Sequence, residues 1–368
     1  MTLEAMNMAY EQKVDFHAHF LSDTYYEYLD KYEGPTPDSF PTPEWSVDGQ
    51  LKLMQKLGIA FAFLSVSSPN MSRADRDDEI KYVRKINEEG AQIVKSHPEK
   101  FGLFASLPLP HTDAAIKEAK FALDELGADG FGLSTHYAGV YLGDSGYDPL
   151  MELLNERGAV IAVHPVKPAA LPQGINENIP IPALEFFNDT TRTFTNMVMH
   201  NIFGRYPNIK WIFPHAGAFL SILSDRMNSF SIQMRGNLPK DIPFDFKGDM
   251  RHVYFDAAGF CLQKQLGALL KDVGAENILY GSDSPYTPAL ACTALSGGLE
   301  KTDCITENEK DMMFTGNAVR LFPRLGETLG RTADGGTVCY ADRKLTSSEK
   351  FSRFIRLTVA KIYSKIFK

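Results

Sequence analysis

Short apolar runs alternate with helix-patterned segments along most of the chain. Their spacing predicts eight strands, at residues 14–16, 60–66, 101–107, 130–133, 159–163, 210–213, 252–256 and 277–280. Each run is brief and rich in Ile, Val, Phe or Leu, the composition of parallel strands covered on both faces. Amphipathic stretches lie between them. Residues 75–95 set Ile80, Val83, Ile86 and Ile93 on one face, and residues 111–126 repeat the device with Ala115, Ala119, Ala122 and Leu126. Eight strands with intervening helices predict an α/β chain closed into a (β/α)8 TIM barrel rather than an open sheet. An open doubly wound sheet wants a glycine-rich phosphate turn after its first strand, and here that place holds a histidine pair.

Two connections are long: residues 20–44, rich in Tyr and Pro, and residues 165–185, rich in Pro and Asn. Loops beyond about 12 residues in a compact fold tend to be lids or linkers. Both follow strand C-termini, the face on which barrels carry chemistry. The barrel is expected to occupy residues 1–330. Residues 331–368 read as a C-terminal helical extension, whose last stretch lines up Phe351, Phe354, Ile355, Val359, Ile362 and Ile366 among Lys and Arg. That helix packs on the barrel or on a second subunit, or else meets a partner or a membrane surface.

Composition narrows the partners. With 44% hydrophobic and 23% charged residues over 368 positions, the chain has ample material for a large core. A net charge of −8 gives no reason to expect nucleic acid, whose phosphates need a concentrated basic face. No stretch approaches the roughly 18 uninterrupted apolar residues that span a bilayer, so no membrane partner is expected. Glu4 and Glu11 lie near the start with no long apolar run, which argues against a secretory signal. The four scattered cysteines, Cys261, Cys292, Cys304 and Cys339, form no C-x-x-C pair. Reduced thiols and a cytoplasmic location are the expectation.

The chemistry is carried by the strand ends. Asp15-Phe16-His17-Ala18-His19 closes the first strand, and residues two apart on a strand point to the same side. His164 closes the fifth, His215 the sixth and Asp283 the eighth. An ionisable side chain closing an apolar strand is costly unless paired or coordinating, and four such ends on one face point to a bound metal. His97, His111, His200 and His252 sit on helix ends or strand starts and read as structural or solvated.

The order H-x-H, His, His, Asp over strands one, five, six and eight resembles the metal signature of the amidohydrolase superfamily. Phe213-Pro214-His215-Ala216-Gly217 followed by Arg226, together with Tyr280-Gly281-Ser282-Asp283-Ser284-Pro285-Tyr286, is similar to its decarboxylase branch, which includes aminocarboxymuconate semialdehyde, resorcylate and 6-methylsalicylate decarboxylases. The resemblance implies one divalent metal, zinc with manganese as alternative, held by His17, His19, His164 and Asp283. It also implies catalytic roles for His215 and Asp283, substrate contacts from Arg226, Arg192 and Tyr286, and a homodimer. In that branch an arginine at the Arg226 spacing binds a substrate carboxylate, in some members across the dimer interface. Two-metal members bridge their ions with a fourth-strand lysine, whereas this chain reads Gly130-Phe131-Gly132-Leu133-Ser134-Thr135-His136.

Departures from the semialdehyde decarboxylase pattern are Lys52 where it has arginine and Pro165-Val166 where it has Pro-Trp. The implied reaction is therefore non-oxidative decarboxylation of a small aromatic or dienoic carboxylic acid, a hydroxybenzoate such as 6-methylsalicylate above others. Hydrolysis of a lactone or amide, or a hydration, remains the alternative for the same site. Tyr25, Tyr26, Phe40, Trp45 and Tyr286 are candidates for an aromatic wall, and His136 for a loop contact.

Overall fold

A computed structural model of the chain describes residues 10, 12–174, 178–234 and 244–331. Eight parallel strands form where the apolar runs place them: β1 (Lys13–His19), β2 (Ile59–Ser65), β3 (Phe101–Ala105), β4 (Gly130–Ser134), β5 (Val160–His164), β6 (Lys210–Phe213), β7 (Tyr254–Asp256) and β8 (Ile278–Leu279). They pair in chain order from β1 to β8. Parallel bridges Asp15–Tyr280 and Ala18–Ser284 join the β8 end back to β1 and close the barrel, with helices around it.

Several bounds differ from the sequence expectation for local reasons. β1 runs through His19 because the His19 amide donates to the Ser284 carbonyl (2.7 Å). β3 stops at Ala105 because the Ser106 amide is taken by the Asn87 side chain (2.8 Å). Residues 20–44 are not a bare loop: Ser22 caps a helix over Asp23–Tyr32, whose Tyr25, Tyr28 and Leu29 are buried. A two-residue turn at Ala138 and Gly139, both left-handed, makes an unforeseen hairpin of His136–Tyr137 with Val140–Tyr141. Alanine is a poor signal for positive φ, which hid that turn. The predicted helix at 75–95 is found at Arg76–Ser96, N-capped by Asp75. Most of the C-terminal extension and Cys339 lie outside the described residues. Among those described, no helix is long and apolar enough to cross a membrane.

The barrel interior has two layers of different chemistry. Val14, Phe16, Phe61, Phe63, Phe104, Val160, Ile212, Tyr254 and Leu279 form the lower one, sealed by the helical segment after Asn317. Its centre is aromatic: Phe63 lies parallel to Phe104 with centroids 4.8 Å apart, and Phe322 covers Phe63 at 4.6 Å. Ala18 packs with the outer cluster instead, so the in–out alternation of β1 slips by one between Phe16 and His17. The pairing with β2 shifts register over that stretch. This bulge lets Phe16 fill the lower layer while His17 and His19 face the upper one.

Truncating Phe63 to Ala empties the middle of the lower layer. The expected cost is about 3–5 kcal/mol, read as a lower denaturant midpoint with an unchanged slope.

Candidate metal centre and active site

The upper layer brings together residues from four strand ends. His17 and His19 (β1), His164 (β5) and Asp283 (after β8) offer ligand atoms that all lie within 4.8 Å of one another. Nε2 of His17 and Nε2 of His19 each stand 3.4 Å from Asp283 Oδ1. Two ligands about 2.1 Å from one tetrahedral ion are about 3.4 Å apart, so the spacing fits a common centre.

What lies behind the rings supports the same reading. His17 Nδ1 meets Asp256 Oδ2 at 2.9 Å, His19 Nδ1 meets Ser65 Oγ at 3.2 Å, and His164 Nδ1 meets the Pro165 carbonyl at 2.7 Å. A carboxylate and a carbonyl only accept. The Ser65 hydroxyl donates to the Ala18 carbonyl and is thus an acceptor for His19. Each Nδ1 is therefore the donor, and each Nε2 turns its lone pair to the shared centre. Nε2 of His17 and of His19 are buried and make no hydrogen bond in the protein. Two buried, aimed and partnerless imidazole nitrogens beside a carboxylate are what a divalent cation satisfies. A single divalent-metal site fits these residues, and the Gly130–Ser134 strand brings no lysine for a second ion.

The electrostatics follow from crowding these groups. Burial would lower the His17 pKa, but Asp256 and Asp283 outweigh it and raise the ring well above the usual imidazole value. Burial lowers His19 and, reinforced by its histidine neighbours, takes His164 well below. Burial would raise Asp283, yet the imidazoles of His17, His19 and His215 crowded against it hold it well below the carboxylate range. Asp15, pushed up by burial to about 6, accepts from the amides of His17 and Ser282 (both 3.0 Å) and so ties the first metal strand to the last. Gly281 allows the strands to approach, since a Cβ there would lie 2.7 Å from His17 Cβ.

His215 sits on a turn in which His215, Ala216, Gly217 and Ala218 all have positive φ. Such strain needs over-determination. The His215 amide donates to Asp256 Oδ1 (3.0 Å), and the Gln265 side-chain amide donates to the His215 and Ala218 carbonyls. Phe187 stacks on the ring, with centroids 5.6 Å apart and planes 15° apart. His215 Nε2 is 4.0 Å from Asp283 Oδ2, the oxygen that also accepts from Thr287 Oγ1 (2.9 Å). Asp283 thus turns Oδ1 to the ligand cluster and Oδ2 to His215.

A cavity of about 190 Å³ opens above this cluster. Phe40, Phe186, Phe187, Phe260 and Tyr286 make it largely aromatic, and Asp38, Ser67, Ser68, Thr42 and Thr287 add polar edges. A cavity of about 150 Å³ admits benzene, so one substituted ring fits and little more.

Of the expected contacts, Tyr286 and Phe40 line this cavity. Tyr25 and Tyr26 instead turn inward, with hydroxyls donating to the carbonyls of Pro69 (2.8 Å) and Pro43 (2.9 Å), and Trp45 packs on Phe20. Arg192 is held by Asp189 (3.0 Å) and Tyr141 (3.3 Å), away from the cavity lining. Arg226 is exposed on the helix Leu220–Met234, its guanidinium over the Phe230 ring at 4.9 Å. His136 Nε2 meets the Lys167 carbonyl (3.1 Å) and its Nδ1 accepts from the Gly139 amide (3.2 Å). Sequence reasoning passed over Asp256, although the pattern of a polar residue closing an apolar strand was present there too. It also missed Gln265, Phe186, Phe187 and Asp38, whose placement depends on how loops and helices fold back.

A closed parallel barrel with three back-bonded histidines and a carboxylate at its C-terminal mouth defines a mononuclear metal-dependent barrel enzyme. The chain belongs to the amidohydrolase family, whose profile matches residues 14–324. It is 32% identical over 328 residues to decarboxylase macB of Penicillium terrestre, covering 85% of this chain and 95% of that one. It is 31% identical over 317 residues to 6-methylsalicylic acid decarboxylase of Penicillium expansum, covering 85% and 97%. An amidohydrolase II solved as a structural-genomics target superposes with a TM-score of 0.80 at 39% identity, over 84% of this chain and 99% of that one. A dihydroxybenzoic acid decarboxylase from Polaromonas sp. JS666, solved with bound manganese, shares the fold at a TM-score of 0.72 and 22% identity, over 86% and 99%.

Asp256→Asn removes the anionic acceptor behind His17, and divalent-metal affinity is expected to fall on the order of 10–100-fold in a chelator-competition titration. The raised His17 pKa means that this ring carries a proton before metal binds. Binding displaces that proton, so affinity in the wild type should rise with pH. A pH-independent affinity would contradict the placement of His17 as a ligand.

Proposed function

We propose that the protein is a mononuclear metal-dependent, non-oxidative decarboxylase of a small aromatic carboxylic acid, a hydroxybenzoate such as 6-methylsalicylate. One observation carries this reading: three imidazole nitrogens and Asp283 Oδ1 converge at the floor of a one-ring aromatic cavity, with His215 standing beside the same carboxylate. The relatives at about 30% identity named for decarboxylation support the reaction class.

A divalent cation held by His17, His19, His164 and Asp283 would supply concentrated positive charge that orients the acid's carboxylate and offsets charge on the reacting ring. Phe186 and Phe187 flank the ring and exclude water. His215 or Asp283, facing each other across 4.0 Å, delivers a proton to the carbon bearing the carboxylate. That proton breaks the ring's conjugation. The carbon–carbon bond then cleaves, its electron pair returns to the ring, conjugation is restored and carbon dioxide leaves. Tyr286, which lines the cavity, is the proposed partner of a substrate oxygen. Within one subunit Arg226 does not line the cavity, so a substrate role for it requires the cavity of a second copy.

Zinc is the metal we propose, because three neutral imidazoles and one carboxylate suit it, with manganese as the alternative. The proposed form is a cytoplasmic homodimer. The thiols of Cys261, Cys292 and Cys304 are free, as in a reducing compartment. Ile222, Arg226 and Phe230, one turn apart, are exposed along a single helix face, as a subunit contact requires.

Incubating the metal-loaded protein with hydroxybenzoates should release carbon dioxide stoichiometrically with the decarboxylated phenol; silence across the whole panel would sink the reading. His215→Ala should lower turnover by about 10²–10⁴-fold while metal content, measured by elemental analysis, stays at one ion per chain.

A further inference from the structure

The polar edge of the cavity contains one carboxylate that the ligand cluster does not use. Asp38 lies in the short helical turn Pro37–Ser39 of the β1 connection and is one of the residues that line the cavity. Its backbone is left-handed, with φ 54°, a conformation that Asp accepts better than most residues. Ser68 Oγ donates to Asp38 Oδ2 at 2.5 Å, and the Lys167 backbone amide also hydrogen-bonds the carboxyl. A carboxylate has about four acceptor positions, so these two partners leave it with capacity for a further hydrogen bond.

Ser67 and Ser68 locate this group relative to the reacting end. Ser67 Oγ is 3.3 Å from His164 Nε2, and the next residue along the chain holds Asp38. The two hydroxyls belong to neighbouring residues whose Cα atoms are about 3.8 Å apart. Asp38 therefore borders the same small cavity, one residue step beyond the metal-facing hydroxyl. Apolar residues, Phe40, Phe186 and Pro37 among them, line the same cavity. Nothing apolar explains a carboxylate there, because burial in such walls penalises its charge and raises its pKa, a penalty that Ser68 and Lys167 only offset.

We infer that Asp38 is a specificity-determining residue that accepts a hydrogen bond from a second ring hydroxyl of the substrate, one remote from the carboxylate. The inference rests on the aromatic-acid reading of the site and narrows it to acids with a further hydroxyl, which separates them from 6-methylsalicylate. It also orients the ligand. A monoanionic acid turns its carboxylate toward the ligand cluster and away from the Asp38 charge, and its hydroxyl toward Asp38. Sites built to hydrogen-bond a hydroxyl discriminate strongly against the analogue that lacks it, because the buried acceptor is then left without its partner.

The test is a calorimetric titration of the zinc-loaded protein with salicylate, 6-methylsalicylate and the 2,3-, 2,4-, 2,5- and 2,6-dihydroxybenzoates, with carbon dioxide measured on the same samples. At least one dihydroxybenzoate should bind on the order of 10–100-fold more tightly than salicylate, as a hydrogen bond to a charged group provides. That ratio should fall to near one in Asp38→Ala, while Asp38→Asn, which keeps an acceptor and tolerates the same backbone, should retain part of it. Near-ultraviolet circular dichroism and melting of Asp38→Asn control for folding. The inference is overturned if no dihydroxybenzoate outbinds salicylate, or if the preference survives in both variants. Selective binding without carbon dioxide release leaves the hydroxyl site standing and removes the decarboxylase reading; carbon dioxide release without selectivity does the reverse. If no benzoate binds, both fall.

Discussion

His17, His19 and His164 each donate an Nδ1–H backward, to Asp256, Ser65 and the Pro165 carbonyl, and the mouth of the barrel is organised by that constraint. A ring whose tautomer is set from behind presents a lone pair in front. Three such lone pairs and the Asp283 carboxylate, buried within a few ångströms, are tolerable in a folded protein only with compensating positive charge, from protons or from a metal. The shifted pKa values express the same frustration: His17 is forced up by the acids around it, while His164 is forced down by burial and its histidine neighbours. The group that relieves all of them at once is a cation at their centre.

The rest of the fold holds those rings still. Asp256 serves three partners, His17 Nδ1 and the amides of His215 and Ala258, so one side chain aligns a ligand, the strained His215 turn and the end of β7. Asp15 does a similar service between β1 and the residues after β8. Beneath them the aromatic layer around Phe63 is a rigid floor. The slip of alternation in β1 reconciles the two layers, because an unbroken period of two could not point both Phe16 and His17 inward.

Geometry also divides labour within single residues. Asp283 aims one oxygen at the imidazoles of His17 and His19 and the other at His215, so one carboxylate joins the candidate ligand cluster to the remaining histidine. Phe187 both walls the cavity and stacks on His215, so one face of that imidazole is covered. Asp38, Ser67, Ser68, Thr42 and Thr287 give the otherwise aromatic chamber its polar edge.

The barrel and the cluster at its mouth were legible in the sequence because both are local patterns repeated along the chain. Brief apolar runs spaced by amphipathic helices count the strands, and an ionisable residue at a strand end marks the functional face wherever it occurs. His17, His19, His164 and Asp283 stood out for that reason, and so did His215. Asp256 met the same criterion but resembles an ordinary strand terminus until the fold sets it behind His17. Arg192 and Arg226 carried the right chemistry by type, yet in a single subunit the helices bearing them turn one toward Asp189 and the other to the surface. Phe186, Phe187, Gln265 and Asp38 could be found only in three dimensions. Their roles depend on where a loop or helix from another part of the chain comes to rest, and periodicity, which reports which face of an element is apolar, carries no information about which distant element that face will meet.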